Sequence, residues 1–98
     1  MNDRLMNFLG LCRRAGFLVW GADSVEKAIH GRKALLVLCT ADLSANSARD
    51  VDFAARQAGI PLRTLACTKD ELGFAIGRVC GTVAVTDRGF ADKILTML

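Results

Sequence analysis

The chain of 98 residues has 52% apolar and 23% charged side chains and a single proline, a composition that suits one folded domain and excludes a disordered chain. Its apolar runs are far too short to cross a bilayer and its first residues do not form a signal sequence, so we expect a cytoplasmic protein without a membrane partner. The formal net charge of +3 lies entirely in residues 1–33, where six basic side chains outnumber three acidic ones, and this basic end suits an anionic partner.

Helical and strand patterns alternate along the chain. Apolar residues at helical spacing predict a first helix over residues 3–15, and Arg13, Arg14 and Gly16 suit its C-terminal end. The later elements are predicted in the order strand Phe17–Trp20, helix Asp23–His30, strand Leu35–Thr40, a helix that starts at Asp42-Leu43-Ser44 and runs to Ala58, strand Pro61–Ala66, a helix opened by Thr68 and Glu71, strand Thr82–Thr86, and a last helix capped by Asp87. This alternation predicts a single domain over residues 1–98, with helices on both faces of a sheet.

The four cysteines are spread evenly, with neither a Cys-x-x-Cys pair nor a nearby pair of histidines: Cys12, Cys39, Cys67 and Cys80. Each falls within or beside an apolar run, where cysteine behaves as a small hydrophobic residue. We therefore predict buried free thiols and neither a metal site nor a cofactor.

The stretch from Trp20 to Lys27 is predicted to carry the function. Gly21 leaves no side chain in the way of an approaching ligand, and Asp23 with Glu26 has the form of a helix-capping box. The start of a helix offers free N–H groups and a partial positive charge, which suit a phosphate or a base edge. Because Lys27 adds a full charge one turn later, we interpret this stretch as an RNA-binding loop. The alternative is a helix cap with no role in binding.

The sequence carries no catalytic pattern. It has no Walker motif, no Gly-x-Gly-x-x-Gly after a strand and no metal-ligand spacing. Asp42 and Asp87 each follow a predicted buried strand, where α/β enzymes place catalytic carboxylates, but each also precedes a helix and is explained as a cap. We therefore predict that the protein is not an enzyme.

The chain resembles the kink-turn-binding ribosomal proteins, the archaeal L7Ae and eukaryotic L30e group, and most of all their small bacterial members of the YlxQ type. Four stretches carry the resemblance, in the family's order and spacing: LGLCRRAGFLVWGADSVEKAI, ALLVLCTADLSANS, DELGFAIG and VAVTDRGFADKIL. The resemblance implies a three-layer α/β/α sandwich around a mixed four-stranded sheet. It also implies a monomer that binds structured RNA, in the ribosome or in a messenger RNA, at kink-turns, which are sharp bends flanked by tandem sheared G·A pairs.

The same resemblance assigns the contacts. In the family's fullest motif, Gly-x-Asn-Glu-x-x-Lys, the polar pair reads guanine edges and the lysine meets a phosphate. Gly21 and Lys27 match that motif, whereas Asp23 stands at the Asn and Ser24 at the Glu. Asp23 keeps an acceptor but adds a negative charge near phosphates, and Ser24 is too short to replace a glutamate. The residues implied in RNA binding are Gly21, Ala22, Asp23, Ser24, Lys27, Arg14, Arg32, Lys33, Arg78, Val79, Cys80 and Gly81.

Within this set, four basic residues would bind phosphates: Lys27, Arg32, Lys33 and Arg14. Phosphate contacts fix the position of the protein on the RNA but do not read its sequence. Val79 and Cys80, in the family's second contact loop, would pack against an extruded base or ribose. Trp20 has two interpretations: it stacks on an unpaired base, or it packs at a strand end. A protein-interaction module of the same fold that has lost specific RNA binding remains the alternative function, favoured by Asp23, Ser24 and Phe17.

Overall fold

The computed structural model describes residues 3–98. Within this range, helices and strands alternate along the chain as the sequence predicts, and the element boundaries fall within a few residues of the predicted ones. The elements are α1 (Asp3–Arg14), β1 (Leu18–Trp20), α2 (Ala22–His30), β2 (Leu36–Cys39), α3 (Ala45–Ala58), β3 (Leu62–Thr64), α4 (Lys69–Ile76), β4 (Thr82–Val85) and α5 (Arg88–Met97).

The four strands form one mixed sheet in the order β1-β4-β2-β3. Strand β4 pairs antiparallel with both β1 and β2, and β2 pairs parallel with β3. The two strands in the middle of the sheet, β2 and β4, are buried along their whole length. Such continuous apolar strands indicate that both faces of the sheet are covered.

Successive side chains of β2 enter two separate cores, because neighbours along a strand point to opposite faces. Leu36 and Leu38 pack with α1, α4 and α5 on one face, whereas Val37 and Cys39 pack with α2 and α3 on the other. The predicted three-layer α/β/α sandwich is therefore confirmed. No helix of the described residues is long and apolar enough to span a membrane.

Three helices begin with side-chain caps, and those of α4 and α5 are the ones that the sequence predicts. Ser44 accepts a hydrogen bond from Ser47 N–H at the start of α3, and Asp87 accepts one from Phe90 N–H at the start of α5. Thr68 and Glu71 form the predicted capping box of α4, with both reciprocal bonds present. Each such cap contributes about 0.5–2 kcal/mol to helix stability.

Asp42 serves a different helix from the one that follows it. Ser44 caps α3, while the Asp42 carboxylate accepts a hydrogen bond from the N–H of Lys69 at 2.9 Å. Because Lys69 is the first residue of α4, this bond ties the end of β2 to the start of α4 across the top of the sheet. The capping role predicted for Asp42 is correct in kind, but the predicted helix is wrong.

The cysteines of residues 3–98 are free thiols, and three of the four are buried. Burial raises the pKa of Cys12 and of Cys39 to about 11, with smaller contributions from the charges of Asp87 and Asp52, respectively. Cys80 departs from the prediction because it is only partly buried, beside the cleft described next. The described residues contain no group of three or more side chains able to hold a metal ion.

Candidate nucleic-acid interface

Two loops that are far apart in the sequence meet at one end of the sheet, where β1 ends and β4 begins. The first joins β1 to α2 through Gly21, and the second joins α4 to β4 over residues 77–81. The Gly21 N–H donates a hydrogen bond to the Thr82 carbonyl at 3.0 Å, which extends the pairing of β1 with β4. The Thr40 N–H, just after β2, donates to the Gly81 carbonyl at 2.9 Å. These two backbone bonds hold the β4 end of the second loop to the segments that follow β1 and β2.

The two loops enclose a cleft of about 370 Å³. Five of the residues predicted from the sequence line it: Gly21, Ala22, Val79, Cys80 and Gly81. Asp23, Ser24 and Lys27 follow on the first turns of α2 and are exposed to solvent. The structure thus brings the two predicted contact loops to one surface, which we call the loop-pair surface: residues 21–27 with residues 78–81.

Gly21 begins α2 in a backbone conformation that only glycine adopts readily. Its φ is +90° and its ψ is 149°, and it is the N-cap residue without any side-chain capping bond. The capping box predicted for Asp23 and Glu26 is therefore wrong, because the helix already starts at Ala22 and places Asp23 inside its first turn. Apart from Gly21 and its chain neighbours, no atom of residues 3–98 lies within 4 Å of the position that a Gly21 Cβ would occupy, so a ligand backbone has room to approach the helix start.

Lys69 adds a positive charge to the cleft that the sequence analysis missed. Its side chain lines the cleft, and its Cε lies 3.3 Å from the position that a Gly81 Cβ would occupy. The signal that could have found it is its place directly after the Thr68 cap, at the start of a helix whose other end leads into the second loop. Glu26 and Asp50 also line the cleft, so the cleft carries charges of both signs.

The second loop rests directly on α4. A Cβ at Gly73 would lie 2.8 Å from the Val79 Cα and 3.0 Å from its backbone nitrogen, so only glycine permits this approach. The Val79 side chain is 70% exposed and points an apolar group at solvent. Burial raises the pKa of the Cys80 thiol, and a hydrogen bond from the Gly21 backbone opposes that rise.

Arg13 links the base of the first loop to the start of the second. Its guanidinium carbon lies 4.8 Å from the centre of the Trp20 ring, and its Nη1 lies 3.2 Å from the position that a Gly77 Cβ would occupy. A cation over an aromatic face is worth about 0.5–2 kcal/mol, depending on its exposure. No group of residues 3–98 accepts a hydrogen bond from the buried Arg13 Nε, so ring stacking and packing hold this side chain.

Trp20 packs at the end of β1. The indole is partly buried against the core, and Arg13 lies over its ring. Packing at a strand end is therefore observed, and stacking of this ring on an unpaired base stays a prediction.

Three of the predicted basic contacts lie elsewhere. Arg32 and Lys33 follow the C-terminal end of α2, opposite to the end that Gly21 begins. There Arg32 lines a separate pocket with residues of α3 and with Ile60. Arg14 is exposed at the end of α1, and its Nη1 lies 3.5 Å from the position that a Gly10 Cβ would occupy, close to α4. None of the three lines the cleft between the loops.

Known proteins share both the sequence and the fold. The model of a family described as ribosomal protein L7Ae/L30e/S12e/Gadd45 matches residues 3–95. The chain is 40% identical over 91 residues to the RNA-binding protein YlxQ of Bacillus subtilis (strain 168), covering 92% of this chain and 90% of that protein. It is 30% identical to the RNA-binding protein YlxQ of Enterococcus faecium, covering 93% and 87%, respectively.

Two solved structures are similar over nearly the whole chain. A protein of unknown function from Bacillus halodurans C superimposes with a TM-score of 0.91 at 26% identity, covering 98% of this chain and 97% of that one. The Giardia lamblia 15.5kD RNA binding protein superimposes with a TM-score of 0.81 at 18% identity, covering 99% and 87%. At that identity the second likeness supports the fold alone.

Proposed function

Because the chain belongs to the ribosomal protein L7Ae/L30e/S12e/Gadd45 family, we propose that it is a non-catalytic RNA-binding protein that recognises a kink-turn through the loop-pair surface. Candidate ligands are kink-turns in ribosomal or messenger RNA. The relatives from Bacillus subtilis and Enterococcus faecium are both named RNA-binding proteins. One observation carries the proposal: the Gly21 loop and the residue 78–81 loop, which family resemblance assigns to RNA, line one cleft.

The start of α2 provides the polar part of this surface. The first N–H groups of a helix have no partner within the helix and lie at its positive end, so they suit phosphate oxygens or acceptor atoms on bases. Asp23 and Ser24, exposed on the same turn, supply an acceptor and a hydroxyl for the edges of the sheared pairs. A guanine presents N–H donors, which a carboxylate accepts well.

Lys27 and Lys69 provide the positive charge. Lys27 is exposed on the second turn of α2, and Lys69 lies in the cleft beside Gly81. Few cations border the loop pair, so RNA binding should release few counterions. We expect a shallow dependence of affinity on salt, corresponding to roughly two to four phosphate contacts.

The second loop provides the apolar part. Val79 is 70% exposed although it is held against Gly73 by its backbone. An exposed apolar side chain beside a polar helix start suits an extruded base or a ribose, because proteins hold unstacked bases against apolar and aromatic groups. Rigid loops read the shape of a bent RNA without having to reorganise.

The test is a titration of the protein with a kink-turn duplex and with a control duplex whose tandem G·A pairs are changed to Watson–Crick pairs. We expect binding to the kink-turn and at least tenfold weaker binding to the control, a difference of about 1.4 kcal/mol or more. Equal, weak and strongly salt-dependent binding to both duplexes would contradict kink-turn recognition. A complete lack of RNA binding would favour the alternative, a protein-interaction module of the same fold.

A further inference from the structure

One aromatic side chain of α4 lies almost entirely in solvent. Phe74 is 96% exposed, against 62% for Phe53, and its helix neighbours Leu72, Gly73 and Ile76 are buried. Helix α4 already docks through that buried face, so the protein cannot cover Phe74 without undocking the helix. Burial of such a side chain against a partner would contribute about 1.5–3 kcal/mol to the free energy of binding.

Phe74 borders a groove between α4 and α1 of about 710 Å³. We call this surface the acidic groove; its lining residues are Asp3, Met6, Asn7, Asp70, Glu71, Phe74 and Ala75. Among the described residues that line it, three are carboxylates and none is a lysine or an arginine. The helices cross closely here, since a Cβ at Gly10 would lie 2.8 Å from the Ala75 carbonyl oxygen. The floor of the groove is therefore formed by two closely packed helices.

The charges decide which kind of partner fits. Carboxylates on an exposed rim repel the phosphates of RNA and attract basic side chains. The apolar floor and Phe74 require an apolar side chain from the same partner, because hydrophobic anchors supply most of the affinity at such sites. Glu71 uses one oxygen to accept the Thr68 N–H, and a carboxylate retains further acceptor sites.

We propose that the acidic groove binds a basic, amphipathic segment of a partner protein. An apolar side chain of that segment packs beside Phe74, and lysine or arginine side chains pair with Asp3, Asp70 and Glu71. This surface is separate from the loop-pair surface, since Lys69 of the same helix lines the cleft while Phe74 lines the groove. The proposal therefore holds whether or not the chain binds a kink-turn.

The experiment titrates the ¹⁵N-labelled chain with a short amphipathic peptide of leucine and lysine, followed by amide resonances. A matched peptide of leucine and glutamate is the control ligand. We expect the lysine peptide to shift the amides of Met6, Asn7 and residues 70–75, and the glutamate peptide to leave them in place. Phe74→Ala should weaken the binding of the lysine peptide by about tenfold, while Phe53→Ala should leave it unchanged.

A second variant changes one charge of the acidic groove but keeps the aromatic ring. Asp70→Lys replaces one of its three carboxylates by a cation in the exposed first turn of α4, so the lysine peptide should bind more weakly and the glutamate peptide less unfavourably. Thermal unfolding of each variant verifies that the fold is kept.

Three results would overturn the proposal. Equal binding of both peptides would show that charge does not select the partner. Unchanged affinity of Phe74→Ala would show that the ring is not the anchor. Self-association of the chain without peptide, lost in Phe74→Ala, would show that the occupant is a second copy of the chain.

Discussion

The two ends of α2 share a backbone feature but have different surroundings. Each end has a residue with positive φ, Gly21 at +90° and Arg32 at +60°, and each carries basic side chains nearby. The N-terminal end carries less positive charge, with Lys27 set against Asp23, whereas Arg32 and Lys33 lie together at the other end. The N-terminal end lies beside the loop of residues 77–81, because the strand before it pairs with the strand after that loop, whereas Arg32 at the other end lines a pocket with α3 and Ile60.

This difference teaches that topology, more than clustered charge, defines the candidate interface. A basic pair on a helix end is accessible to any polyanion and contributes mostly non-specific attraction. The loop-pair surface adds fixed backbone donors, an apolar residue and a close approach at Gly21. The following variants separate these contributions, beginning with the largest expected effect.

Gly73→Ala tests whether the position of the second loop matters. The new methyl group would overlap the Val79 backbone, at 2.8 Å from its Cα, so the loop must move away from α4. We expect a loss of about 1–3 kcal/mol in the free energy of unfolding and a roughly tenfold or larger loss of kink-turn affinity. Urea unfolding and an RNA titration measure the two effects. The control is Gly89→Ala, whose new methyl group would meet only the Asp87 side chain. An unchanged kink-turn affinity of Gly73→Ala would argue against a role for the loop of residues 77–81.

Gly21→Ala has a closely matched control in Gly16→Ala. Gly16 has a φ of +85°, and no atom of the described residues, apart from the glycines and their chain neighbours, lies within 4 Å of the Cβ position of either glycine. Both variants should lose about 1–3 kcal/mol of stability, because a residue with a Cβ is strained at these positive φ angles. Only Gly21→Ala should also lose RNA affinity, because its methyl group projects where the RNA approaches. Equal RNA affinities for the two variants would show that the open space at Gly21 is not used.

Lys27→Ala compares directly with the double variant Arg32→Ala, Lys33→Ala. The single change should weaken RNA binding and reduce the salt slope by about 1, the effect of one phosphate contact. The double change removes twice the charge but, on this account, should alter the affinity by no more than about twofold, as expected for cations outside the contact surface. Titrations at several salt concentrations distinguish the two cases. A larger effect of the double change would show that the RNA interface lies at the C-terminal end of α2.

Arg13→Lys should have the smallest effect. The ammonium group keeps the charge but loses the planar stack on Trp20. We therefore expect the free energy of unfolding to fall by about 0.5–1 kcal/mol. Trp20 is the single tryptophan of the chain, and its fluorescence reports the change directly. Arg14→Lys, one residue along and exposed, should alter neither the fluorescence nor the affinity. If Arg13→Lys leaves the fluorescence as it was, the stack does not order the loops.

Much of the fold could be predicted from the sequence because its signals are local. The continuous apolar runs that became β2 and β4, and the caps at Thr68 and Asp87, depend only on neighbouring residues. The family resemblance supplied the sandwich and the four-stranded mixed sheet.

The sequence-based predictions that are wrong concern contacts between residues far apart in the chain, or a choice between neighbouring residues as the start of a helix. Asp23 and Glu26 match a capping box, but Gly21 reaches a conformation that starts the helix earlier. Asp42 caps α4 because folding brings Lys69 to it across 27 residues. The contributions of Lys69 and Arg13 depend on contacts between elements, and only the place of Lys69 directly after the Thr68 cap gives a sequence signal for either of them.

The most direct test of the central claim is to map the RNA contact on the ¹⁵N-labelled chain with a kink-turn duplex. The account predicts that the amides of residues 21–27 and 78–81 shift together at the same RNA concentrations, while those of residues 31–34 stay nearly unchanged. Shifts centred on residues 31–34, or shifts of the first loop without the second, would contradict a single interface built from the two loops.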